Sequence, residues 1–323
     1  MALMRNALLA ASQSVWLRER APRLGFVRRT VTRFMPGETL DDAIAASRQL
    51  QAQGIRTVFT QLGENVTSAA QARSVTEHYI GALERIRREQ LPAEISLKLT
   101  HLGLDVGTEI CYANLREILE MSCAVTVWLD MEGSVYVDAT LDMYRRVRSI
   151  SSRVGVCVQA YLYRTAKDLD TLLPMGAAIR LVKGAYSEPA EIAYPRKMDV
   201  DENYLALAQR LLSSEARASG VRTAIATHDK RLIGRIVTFM ENSLVESDQG
   251  QGGAAKPNEL SRDTVEFQML FGIQRKEQLR LAREGWRCTV LIAYGNYWFP
   301  WFMRRLAERP ANMMFILRNF FAR

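Results

Sequence analysis

Histidine and cysteine are scarce in this 323-residue chain, and those present are badly spaced for metal chemistry. His78, His101 and His228 are the only histidines, with no HxH or HExxH spacing, so no metal site is expected. The four cysteines, Cys111, Cys123, Cys157 and Cys288, contain no CxxC pair. Three fall in apolar runs, which argues against a disulfide framework and suits a reducing cytoplasm. No apolar stretch is long enough to span a bilayer. The net charge of +8 is spread along the chain, with no basic block, zinc-finger, RNP or basic-zipper pattern. Nucleic acid is therefore not an expected partner; a phosphorylated cofactor or a membrane surface would suit the basic excess better. The P-loop frame is missing, and "GQGG" neither follows a strand nor opens a helix, so no Rossmann fingerprint is present.

No strong linker divides the chain, so residues 1–323 read as one domain with a helical N-terminal extension over about 1–50. "MALMRNALLAASQSVWLRER" is broken by Ser and Gln and reads as a helix rather than a signal peptide. The C-terminal "NMMFILRNFFAR" is apolar and basic, which suits a packed terminal helix or contact with a membrane surface.

Eight short apolar runs alternate with amphipathic stretches. They are "RTVFTQLG", "EISLKLT", "VTVWLDME", "GVCVQAYL", "AAIRLVKGAY", "RTAIATHD", "VEFQMLFG" and "CTVLIAYG". Near-continuous apolar character suits parallel strands covered on both faces. Eight such units in this length predict an α/β fold, a (β/α)8 TIM-like barrel with extra N-terminal helices; an open doubly wound sheet is the alternative. Asp201 is a plausible N-cap for "DENYLALAQRLLSSEARA". The Gly-rich polar segment over 243–261 reads as a loop before the seventh strand.

Barrel chemistry sits at the C-terminal strand ends. The polar residues there are Lys98, Asp130, Glu132, Gln159, Arg180, Lys183, Thr227, His228, Asp229 and Gln268. Glu132 and Gln268 are as easily satisfied core residues, but a packed barrel does not need so many polar strand ends. Arg180 and Lys183, in "RLVKGAY", pose a sharper question. Buried cations need an acidic partner or a bound anion. On the last helix, Glu308 lies four residues past Arg304 and three past Arg305. That spacing fits a solvated ion pair. It also fits a carboxylate clamp, two guanidinium forks held in place by Glu308.

Taken in order, "SLKLT", "WLDME", "RLVKGAY", "YPRKMDVDENY", "ATHD", "EFQMLFG" and "WFMRRLAERPAN" resemble the motifs of monofunctional bacterial proline dehydrogenase, from about Arg29 to Asn312. The resemblance implies a barrel with non-covalent FAD that oxidises L-proline to Δ1-pyrroline-5-carboxylate and passes electrons to membrane quinone. It implies flavin contacts from Gln159, Arg180, Val182, Lys183, Gly184, Ala185, Lys197, Thr227 and His228, with Gly184 permitting close backbone approach. On the substrate side it implies a carboxylate clamp of Arg304 and Arg305 braced by Glu308. Lys98 and Asp130 would lie beside the amine as an opposed charge pair, and Tyr186 would cover the pocket. It further implies a cytoplasmic protein, peripheral at the inner membrane surface.

Four positions depart from the family pattern: Ser187, Thr289, Leu291 and Trp301. Leu291, in "TVLIAYG", stands where the family carries a tyrosine against the proline ring, and Trp301 replaces another tyrosine. Both fall on the ring side of the expected pocket. An ordinary proline dehydrogenase and a relative oxidising another carboxylate-bearing amine, imino acid or hydrazino acid both fit. A barrel using Lys98 or Lys183 as a Schiff-base nucleophile, or a catalytically silent binding protein, are the readings from other classes.

Overall fold

The eight apolar runs form eight parallel strands that close into one barrel in chain order. The computed structural model describes residues 31–248, 261–262 and 265–308. The strands are β1 (Arg56–Gln61), β2 (Ala93–Leu97), β3 (Val127–Leu129), β4 (Val154–Gln159), β5 (Ala178–Val182), β6 (Arg222–Ala226), β7 (Val265–Leu270) and β8 (Arg287–Tyr294). Closure is made by β1 against β8, with Val58 opposite Leu291. An open sheet is thereby excluded.

Helices follow the strands on the outside. Those described are α1 (Leu40–Gln51), α2 (Ala69–Arg88), α3 (Thr108–Met121), α4 (Val137–Arg148), α5 (Thr165–Leu172), α6 (Lys197–Leu211), α7 (Ser214–Ala218), α8 (Lys230–Asp248), α9 (Arg275–Arg283) and α10 (Trp298–Glu308). Local chemistry starts several of them. Thr39 and Asp42 form a capping box at α1, and Ser68 accepts from the Gln71 N–H at α2. Of the expected N-terminal extension, α1 is helical, and residues 1–30 lie outside the described part. So do "GQGG" and the apolar C-terminal segment.

Two expectations need correction. The loop expected over 243–261 begins later, because α8 runs on to Asp248; residues 249–260 lie outside the described part. Asp201 is not an N-cap. Helix α6 already starts at Lys197, so Asp201 stands one turn inside it.

The main apolar core lies between the strands and the outer helices. The barrel interior is different. Trp128 fills its middle, with the Arg180 guanidinium 4.6 Å and the Arg222 guanidinium 5.1 Å from its ring centre. The indole needs the room left at Gly155, where a Cβ would come 2.5 Å from Trp128 Cε3. Below it, Arg222 bridges Glu94 at 2.8 Å and Glu266 at 2.6 Å. Trp128 Nε1 donates to Glu94 at 2.7 Å. The lumen is therefore a column of paired charges around one aromatic ring rather than layers of branched aliphatics. Over the C-terminal mouth, α10 packs Trp298, Phe299, Trp301 and Phe302 against Val31, Phe34 and Met35.

Candidate active site

Arg180 lies across the top of the lumen, 3% exposed. Its Nε donates to Gln268 Oε1 at 2.6 Å, and its Nη1 donates to Ser96 Oγ and Asp130 Oδ1, both at 2.8 Å. Asp130 also accepts from Ser96 Oγ at 2.7 Å. An acidic partner is thus part of the answer to the buried cation. It is only part, because Arg180 Nη2 is buried with no hydrogen-bond partner among the described residues. On the neighbouring strand, Gln159 Nε2 donates to the Glu132 carbonyl at 3.1 Å, while its Oε1 is likewise buried and unpartnered among those residues. They are one buried donor and one buried acceptor on adjacent strands, which a bound group with both hydrogen-bonding capacities would satisfy.

Lys183 has two acidic partners, Asp201 at 2.5 Å and Asp229 at 3.0 Å. Lys197 meets the same two carboxylates. Burial pushes the Asp229 carboxyl up, but the ammonium groups of Lys183 and Lys197 outweigh it and hold the group far below the usual carboxylate range. Two lysines and two aspartates leave this cluster neutral. A phosphate would be held there by direct hydrogen bonds rather than by net field. Lys197, with 73% of its side chain exposed, is the better placed of the two.

Bonds to backbone N–H groups hold four of the expected cofactor residues. The Val182 and Lys183 carbonyls accept from Ala160 N and Tyr161 N at 2.8 and 2.9 Å. Thr227 Oγ1 accepts from Asp229 N at 3.2 Å. His228 Nε2 accepts from Leu270 N at 2.8 Å, which puts the neutral ring's proton on Nδ1. Ala185 and Tyr186 are half-buried in the loop after β5. That loop is anchored by Glu188, which accepts from Ser134 N at 2.7 Å. Gly184 is also required by local packing. Its φ is +111°, and the ring of Tyr161 would lie 2.1 Å from a Cβ there. The missing side chain makes room for Tyr161.

Lys98 is half-buried just past β2 and does not pair with Asp130. Asp130 pairs instead with Arg180 at 2.8 Å. Leu291 and Trp301 do come together. They share one apolar cluster with Leu270, Ile273 and Met303 at the barrel mouth. Arg304, Arg305 and Glu308 lie on the second half of α10, whose side chains fall outside the described part.

Sequence reasoning missed Ser96, Cys157 and Glu266. Each faces the lumen two residues from a recognised polar position on its own strand, a period-2 signal available in the sequence. Glu132 and Gln268 are satisfied interior residues. Glu132 accepts from Thr100 N at 3.1 Å and Thr100 Oγ1 at 2.7 Å.

His101, beside this group, gives a pH test. Burial, then the positive charge of Lys98, lowers it from an ordinary 6.5 to about 4. The unfolded chain binds this proton below pH 6.5 and the folded chain only below about 4. The stabilisation is therefore complete above 6.5 and is lost as pH falls toward 4, by on the order of 3 kcal/mol. Urea midpoints between pH 7 and 4 should fall less steeply in His101→Gln than in the parent. Parallel slopes would count against a buried neutral ring.

A family model described as proline dehydrogenase matches residues 43–318. The chain belongs to the proline dehydrogenase family. It is 37% identical over 321 residues to Proline dehydrogenase 2 of Bacillus subtilis subsp. natto, covering 99% of each chain. It is 34% identical to the proline dehydrogenase of Deinococcus radiodurans, covering 89% of this chain and 88% of that one. Among solved structures, proline utilization A from Bdellovibrio bacteriovorus, inactivated by N-propargylglycine, superposes with a TM-score of 0.76 at 22% identity. That match covers 92% of this chain but 34% of the larger protein, and it concerns the fold. Proline dehydrogenases are flavin-dependent oxidoreductases acting on a CH–NH bond, and the orphaned Arg180 Nη2 and Gln159 Oε1 fit such a cofactor. No helix among the described residues is long and apolar enough to cross a membrane.

Proposed function

We propose that this proline dehydrogenase family member oxidises L-proline to Δ1-pyrroline-5-carboxylate using non-covalent FAD. The observation that carries the reading is Arg180, paired to Asp130 at 2.8 Å, with its buried Nη2 left without a hydrogen-bond partner among the described residues. Bound FAD would supply the two-electron acceptor. Arg180, Gln159, Thr227 and His228 would meet its ring system and adjoining chain, and Lys183 and Lys197 its phosphates. Val182, Gly184 and Ala185 would supply backbone contacts. Arg304 and Arg305, braced by Glu308, would fix the substrate carboxylate, which sets the pose of the reacting C–H bond. Asp130 and Lys98 would hold the substrate amine in its reactive protonation state, under the cover of Tyr186. The quinone of a bilayer would take the electrons, with the protein cytoplasmic and peripheral at the inner membrane surface.

A second reading rests on Leu291 and Trp301, which join one apolar cluster at the mouth. A wall carrying Leu291 and Trp301 would also admit another carboxylate-bearing amine, such as an N-alkyl glycine or a hydrazino acid. Anaerobic addition of L-proline to the purified yellow protein separates the two. Bleaching of the flavin band is the expected result. A yellow protein that proline leaves unchanged moves the substrate to the amine series, and a colourless one that FAD does not reconstitute removes the cofactor reading.

A further inference from the structure

One group deep in the lumen governs how Arg180 is presented. Glu266, on β7, is 1% exposed. Its Oε2 accepts from Arg222 at 2.6 Å and its Oε1 accepts from Gln268 Nε2 at 2.7 Å. Glu266 and Gln268 are two apart on one strand, so both face the lumen. A carboxylate is acceptor-only, so Gln268 must turn its NH2 toward Glu266. Its carbonyl then points at Arg180 Nε, 2.6 Å away. With Nε held there and Nη1 held by Ser96 and Asp130, the planar guanidinium has one orientation left. Nη2 is the donor left without a partner among the described residues.

We propose that Glu266 is a positioning residue which, through the amide of Gln268, locks the Arg180 guanidinium in one orientation and leaves Nη2 as its spare donor. The inference rests on the flavin-site reading of Arg180 but is testable without it. With a neutral amide at position 266, Gln268 is no longer obliged to present its carbonyl to Arg180. If it flips, two donors face each other and the guanidinium loses its lock.

The test is a double-mutant cycle of Glu266→Gln and Gln268→Met in the full chain. The first readout is the Arg180 Nε–H signal in nitrogen-15 NMR, assigned by its loss in Arg180→Lys. In the parent this proton should exchange slowly, and in Glu266→Gln roughly tenfold faster. The second readout is the visible spectrum and midpoint potential of the FAD-loaded protein. The potential should move to a more negative value, as expected when a cation is held less well beside the reduced flavin. In the kinetics, kcat should drop roughly tenfold with KM little changed. In the Gln268→Met background, Glu266→Gln should add less than about twofold to any of these. Additive effects, or an unchanged Nε–H in Glu266→Gln, overturn the relay. Should Glu266→Gln fail to fold, Glu266→Asp keeps the charge facing Arg222 while withdrawing it from Gln268, and the same changes are expected. A parent protein that takes up no FAD would remove the cofactor reading, and the NMR cycle would still decide the relay.

Discussion

Arg180→Leu is expected to lower stability by about 3–5 kcal/mol, the usual cost of removing one member of a buried ion pair. The substitution strips the guanidinium from Asp130, whose side chain is 22% exposed, and leaves Gln268 Oε1 without its donor in a closed lumen. It also removes the cation stacked on one face of Trp128, leaving Arg222 alone on that ring. Leucine has the volume to fill part of the space, so the loss is of polar partners rather than of packing. Arg180→Lys separates the two: it keeps a charge near Asp130 but cannot serve Gln268 and Asp130 with one rigid fork. Its cost should be about 1–2 kcal/mol, and FAD content should fall in both variants. Urea denaturation and the ratio of flavin to protein absorbance check this. An Arg180→Leu protein with the parent's midpoint would mean that the Asp130 pair contributes nothing to the fold.

The strands were legible because each is a short apolar run fixed by its own sequence. All eight appear where the runs lie, with ends shifted by up to four residues. The partners of the strand-end charges were not. Arg180 meets Asp130, Ser96 and Gln268, which are 50, 84 and 88 residues away, and only barrel closure brings them together. Asp201 shows how a local rule is overridden. Its position before an apolar helical run satisfies the cap preference, yet α6 starts four residues earlier without a side-chain cap. The aspartate serves instead as a carboxylate for Lys183 and Lys197. The packing of the Tyr161 ring against Gly184 was not legible, because nothing local to the glycine reveals where that ring lies. Leu291 and Trp301 were read as one wall from a family pattern, and their shared cluster follows from α10 folding back over β8.

Arg304→Met and Arg305→Met should each lower kcat/KM by roughly 100- to 1000-fold, about 3–4 kcal/mol of transition-state binding. Both residues follow the part of α10 anchored by Trp298, Phe299, Trp301 and Phe302, all buried. Methionine is a strong helix former, so α10 should persist and the melting temperature should move little. The cofactor residues sit on β4 and β5, in the segments following β5 and β6, and at the start of α6. FAD content should therefore stay near the parent's, which distinguishes these variants from Arg180→Leu. The two reductions should not add in the double variant, because the first loss already leaves the substrate carboxylate poorly oriented. Glu308→Gln should show a smaller loss in the same direction, as a brace rather than a contact. Stopped-flow reduction of the flavin by proline gives all three numbers. Parent-like reduction in both arginine variants would reduce the Arg304–Arg305–Glu308 set to an ion pair on a helix face. Loss in only one would leave a single guanidinium to hold the carboxylate.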